Sequence, residues 1–87
     1  MDDTASELIH QFTGEVRGAD DGLYAAQVNG RQRADGMWEG WIEFRPVGSG
    51  PTLRTDRETT QPDREALAYW ASGLETLYFD GALARAR

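Results

Sequence analysis

The stretch from Met37 to Arg45 constrains the fold more than any other part of this chain. Its side chains alternate, with Trp38, Gly40, Ile42 and Phe44 on one side and Met37, Glu39, Trp41, Glu43 and Arg45 on the other. A period of two is the signature of a strand, and unequal sides mean that one face is buried and the other is not. Such a strand needs neighbours for its backbone N–H and C=O groups, and a cover for its apolar face only. Pro46 has no N–H to give a ladder and ends the strand or marks an edge.

The remaining residues supply neighbours and cover. From Leu8 to Val16, Leu8, His10, Phe12 and Val16 point one way, and Ile9, Gln11, Thr13 and Glu15 the other, with Gly14 as the expected site of a bulge. Gly18-Ala19-Asp20-Asp21-Gly22 carries the Asp-Gly hairpin signal and leads into a second strand, Leu23 to Val28. Asn29-Gly30 and Asp35-Gly36 bracket a segment with turn chemistry at both ends, so residues 29–36 read as a long exposed hairpin tip. After the loop Val47–Pro51, Thr52 to Glu58 is polar enough for an edge strand.

A helix follows. Thr60 is the expected cap, with Pro62 tolerated in the first turn and Asp63 and Glu65 favoured by the helix dipole. Leu67, Trp70, Leu74, Leu77 and Tyr78 recur at helical spacing and form the expected apolar stripe. Running the helix through Gly73 to about Phe79 keeps that stripe on one side, and Asp80-Gly81 is the expected stop. The fold class is α+β: an antiparallel meander of three to four strands with one C-terminal helix packed on one face. Residues 1–87 form a single domain, with a frayed start over residues 1–6.

At 87 residues the core is modest, because so small a domain buries only about 60% of its unfolded surface, and dimerisation would help it. The chain has no cysteine, which removes disulfides, zinc knuckles and thiol nucleophiles. Its nine basic residues are all arginine, so there is no Schiff-base or P-loop lysine. The formal charge of −6 has the wrong sign for a protein that gains affinity by releasing counterions from nucleic acid. No stretch approaches a membrane span, and the acidic N-terminus has no apolar run behind it. The expected setting is therefore cytoplasmic, without a secretory signal.

The candidates for chemistry are sparse. His10 is the only histidine and has no visible partner for metal binding or proton transfer. Ser6, Ser49 and Ser72 lack a nucleophile elbow, and Gly48-Ser49-Gly50 lacks the Gly-Lys-Ser/Thr and helix start of a phosphate loop. Asp20, Asp21 and Asp35 are explained by turns and lack the spacing of a calcium loop. Glu39 and Glu43, on one strand face, stand about 13 Å apart by strand rise, too far for a paired acid and base. We expect no catalytic residue, no metal site and no cofactor. Trp41 stands out. If Trp38, Ile42 and Phe44 face the core, Trp41 lies on the outer face among Glu39, Glu43 and Arg45, with Arg54, Asp56 and Glu58 from the next strand. A large aromatic in a charged setting is how a binding hot spot is built. The alternative is packing against Met37, an arginine stem or the N-terminal segment.

The strings Thr60-Gln61-Pro62-Asp63-Arg64-Glu65-Ala66-Leu67 and Gly73-Leu74-Glu75-Thr76-Leu77-Tyr78 resemble the HicB-type antitoxin domain, in which a three-stranded sheet meets a capped helix. The chain departs from that family in having no helix after the first strand and no Pro-Asp-Leu-Pro-Gly-like segment before the third. No functional residue carries over. Plant AP2-type DNA readers also pair three strands with a helix, but on a basic sheet that this chain lacks. The function expected from the residues is a non-enzymatic protein-protein interaction module, a homodimer or a subunit of a complex. Its candidate contact residues are Trp41, Glu39, Glu43, Arg45 and Arg54. The alternative, which the resemblance implies, is an acidic antitoxin-like neutraliser of a basic nuclease.

Overall fold

In the computed structural model, which describes residues 5–87, the alternating segment is β4 (Trp38–Pro46) of a six-stranded antiparallel sheet. It forms a hairpin with β3 (Leu23–Gln32), and the two run in unbroken register from Tyr24 opposite Pro46 to Gln32 opposite Trp38. β1 (Glu7–Gln11) and β2 (Val16–Arg17) both pair with β3 on its far side. β5 (Leu53–Arg54) and β6 (Thr59–Gln61) both pair with β4. The sheet is thus a four-strand meander whose first and last strands are each interrupted. Two helices, α1 (Arg64–Ser72) and α2 (Thr76–Arg85), cover one face. Residues 1–4, most of the expected frayed start, lie outside the described residues.

The apolar side of the alternation is the core. Ala26, Val28, Ile42 and Phe44 from the central hairpin meet Leu67 and Ala71 of α1 and Phe79, Ala82 and Leu83 of α2. Phe12 packs edge-on against Phe79 with ring centroids 4.5 Å apart. Two glycines set how closely the layers approach. Gly30 and Gly40 are cross-strand partners directly beneath Leu67. A Cβ on Gly40 would stand 2.7 Å from a Leu67 methyl, and one on Gly30 would stand 2.6 Å from the other. This overturns the expected hairpin tip over residues 29–36. Asn29-Gly30 lies inside β3, and its glycine serves close packing rather than a turn. The true tip is Arg33–Gly36, closed by Gly36 N–H donating to the Arg33 carbonyl (3.0 Å), with Gly36 at φ +88°.

The first strand differs from expectation in its phase. The register slips between Leu8 and His10, so Ile9 is the bulged residue, not Gly14. Ile9 joins the core while Leu8 turns outward opposite Asn29. Gly14, at φ +84°, instead marks the gap between β1 and β2. The hairpin at 18–22 forms as expected, with the Asp20 carboxylate accepting from Gly22 N–H at 2.9 Å.

The helical layer is two helices rather than one. Residues 59–61 are strand, so the cap is Asp63 instead of Thr60, and its carboxylate accepts from Ala66 N–H at 2.8 Å. The helix does not run through Gly73, whose N–H donates to the Trp70 carbonyl as α1 ends. At 3.6 residues per turn a continuous helix would hold Phe79 about 80° around from Ala71. The break over residues 73–75 rephases the second half so that Phe79, Ala82 and Leu83 face the sheet. Leu77 and Tyr78, placed in the core stripe by the single-helix reading, are exposed in consequence. The helix also passes Asp80-Gly81 to reach Arg85, because Ala82 and Leu83 beyond it are buried. Among the described residues no helix is long and apolar enough to cross a membrane.

Candidate functional site

The face of the sheet opposite the helices is built by the other half of the same alternation. β4 contributes Glu39, Trp41, Glu43 and Arg45, β3 contributes Ala25, Gln27, Asn29 and Arg31, and β5 contributes Arg54. Four of the five candidate residues are therefore on one strand face as read, and the fifth arrives by pairing, since Arg54 stands opposite Glu43.

Trp41 sits at the centre of this face, opposite Asn29. It is not the exposed aromatic that the sequence suggested, because only 3% of its surface remains accessible. Its cover is polar. The Arg54 guanidinium lies over the indole, 4.2 Å from the ring centroid. The indole N–H donates to a Glu43 carboxylate oxygen at 2.9 Å, which fixes the ring in its plane. The arrangement puts a cation over a ring face that attracts it. Beside it, the Gln27 amide donates to the Asn29 side-chain oxygen at 2.7 Å, and Arg31 pairs with Glu39 at 2.8 Å. Both glutamates of the face are thus engaged, one by Trp41 and one by Arg31.

Arg45 is exposed on the same row. Among the described residues neither Arg45 nor Arg54 has a carboxylate within ion-pair distance. Asp56 is exposed in the β5–β6 connection. Glu58, expected as a companion of Trp41, belongs to the opposite side. Its carboxylate accepts from the Tyr78 hydroxyl (2.5 Å) and from Arg85 (2.7 Å), both on α2. Burial alone would push the Glu58 carboxyl up. The hydrogen bonds from Tyr78, Arg85 and Thr55, with the Arg85 charge, outweigh burial and hold it below the usual carboxylate range. Tyr78 is pushed the other way, by burial first and then by its bond to the Glu58 carboxylate.

Gln27, Asn29 and Arg31 escaped the sequence reading, although they alternate as regularly as their partners on β4. Asn29-Gly30 carried a local turn signal that hid the alternation.

Two open clefts lie away from this face. One, of about 500 Å³, lies between the 18–20 turn and α2 over Tyr24, Leu53 and Leu83. The other, of about 520 Å³, is bordered by His10, Phe12, Leu74 and Phe79. His10 packs its ring edge-on against Phe12, with centroids 4.7 Å apart. Among the described residues no cluster of three or more potential metal ligands occurs. Comparison with known protein families, curated proteins and solved structures finds no match for this chain.

Proposed function

We propose that this domain is a non-enzymatic protein-protein interaction module of the cytoplasm, working as a homodimer or as a subunit of a larger complex, and that its contact surface is the outer sheet face around Trp41. The observation that carries this reading is the stack of Arg54 on a buried, hydrogen-bonded Trp41. A guanidinium held over an aromatic ring has already lost much of the freedom that binding would otherwise take from it. Tryptophan and arginine are also the residues in which contact energy concentrates. The role of Trp41 shifts accordingly, from a residue that inserts into a partner to the bed that orients one that does.

The reading has a spatial consequence. With a photo-crosslinking residue in place of Arg45, a discrete protein adduct is expected in cells that make the domain at its native level. The same residue in place of Tyr69, which is 82% exposed on the helical side, is expected to give none. Adducts only from the Tyr69 position, or from neither, would remove the outer face as the contact surface.

A further inference from the structure

We infer that the outer face takes an acidic protein segment, whose carboxylates meet the guanidinium groups of Arg45 and Arg54; this rests on the reading of that face as the contact surface. Three features of the face point to a partner of this charge. The first is how its own acids are used. Glu43 is held by the Trp41 indole N–H and Glu39 by Arg31. Neither closes onto Arg54, although Glu43 is its cross-strand partner. Three guanidinium groups on the face therefore stand against two carboxylates, and among the described residues only Arg31 of the three is ion-paired.

The second is availability. The Arg54 guanidinium lies over the Trp41 ring with no ion-pair partner among the described residues, and its N–H donors form the fork that matches a carboxylate. Arg45, one residue beyond Phe44 on the same strand, offers a second fork that is exposed. Two such donors on a rigid sheet suit a chain that presents acidic side chains in sequence.

The third is the contrast with the rest of the molecule. The chain carries −6 overall, yet this face holds Arg31, Arg45 and Arg54 against Glu39 and Glu43. The helical side carries Asp63, Glu65, Glu75 and Asp80 against Arg64 and Arg85, both of which are already paired with glutamates. An anionic segment is repelled there and accommodated here. The same distribution argues against a second copy docking face to face, since that would set the unengaged arginines of one face against those of the other. Two open guanidinium forks are too few for nucleic acid, whose binding is built from many phosphate contacts.

The test is an NMR titration of the labelled full-length protein with a short Glu- and Asp-rich peptide. The controls are its Gln/Asn analogue and a single-stranded oligonucleotide of equal charge. Saturable shifts are expected at the Trp41 indole N–H and the Arg54 Nε–H with the acidic peptide only. In Arg45→Ala/Arg54→Ala, whose amide spectrum away from the face should be unchanged, affinity should fall about tenfold or more. No response to the acidic peptide, an equal response in the double variant, or tighter binding of the oligonucleotide would overturn the inference. The two readings fail separately. A crosslinked partner that presents no acidic segment to Arg45 ends this inference and leaves the interaction surface standing, whereas no adduct at Arg45 ends the surface itself.

Discussion

The two faces of this sheet come from one alternation, yet they are buried by opposite means. On the helix side, burial is apolar and tight, with Leu67 seated on the paired glycines 30 and 40. On the outer side, Trp41 is buried as deeply, but beneath a guanidinium and beside a carboxylate. Burial therefore does not identify the core here. The helix side gains from apolar area removed from water and loses sharply when its shape is wrong. The outer side gains from charge and hydrogen bonding close to solvent, where each interaction is worth less.

That difference ranks the expected effects of mutation. The largest effect of an added atom belongs to Gly30→Ala. Its Cβ would lie 2.6 Å from a Leu67 methyl and 2.9 Å from the Glu39 carbonyl oxygen, which is backbone and cannot step aside. We expect a loss of about 3 kcal/mol in urea unfolding, the upper end of what overpacking produces. Gly40→Ala is milder, because its one severe contact is the other Leu67 methyl, at 2.7 Å. Leu67→Val, which retracts both methyls, should relieve Gly40→Ala and relieve Gly30→Ala only in part, because the Glu39 carbonyl contact remains. Equal relief of the two would mean that the backbone contact does not matter, and the contrast between hard and soft packing would lose its basis.

Next is the polar clamp on the helix side. Glu58→Gln keeps the shape but removes the charge held by Arg85 and Tyr78, for an expected loss of about 1–2 kcal/mol at neutral pH. The carboxyl is held below its usual range in the folded state. Its contribution is therefore complete above the ordinary carboxylate pKa and is lost as pH falls through the lowered folded value. The gap between wild type and Glu58→Gln should close with acidification. A gap that stays constant down to strongly acidic pH would show that the bonds do not depend on the charge.

Arg54→Ala on the outer face should cost less, about 0.5–1 kcal/mol, the range of an exposed cation–π contact. It should also shift the Trp41 indole N–H resonance and the near-ultraviolet circular dichroism. A loss as large as that of Gly30→Ala would erase the distinction between the faces.

What could be read from the sequence follows the same division. The strand Trp38–Pro46 and the placement of Glu39, Trp41, Glu43 and Arg45 on one side were legible, because alternation is local and its two sides differ in polarity. The burial of Trp41 was not, since placing Arg54 on the neighbouring strand does not say that its guanidinium closes over the ring. Gly30 looked like a turn because Asn-Gly is a turn signal in its own neighbourhood, whereas its actual partner, Leu67, lies in a distant helix. The bulge at Ile9 carried no glycine to mark it. Gly73 was visible as a weak point, but Leu74, Leu77 and Tyr78 completed so regular a stripe that a continuous helix looked better than a broken one.

That last misreading supplies the smallest expected effect and a clean discrimination. In a continuous helix Leu77 would share a stripe with Leu67 and Leu74, and replacing it by serine would open the core. In the broken arrangement Leu77 lies at the start of α2 with 81% of its surface exposed, while Phe79 two residues on is 6% exposed. Leu77→Ser should therefore change stability by no more than about 0.5 kcal/mol, as surface substitutions do. Phe79→Ala, which also removes the edge-on contact with Phe12, should lose about 3 kcal/mol or more. The two positions lie so close in sequence that helix propensity and chain context are nearly shared, and only the phase set by the break separates them. Comparable losses at both would restore the continuous helix. A loss at Phe79 alone would place the turn over residues 73–75 among the features that define the helical face, on the same footing as the glycines beneath Leu67.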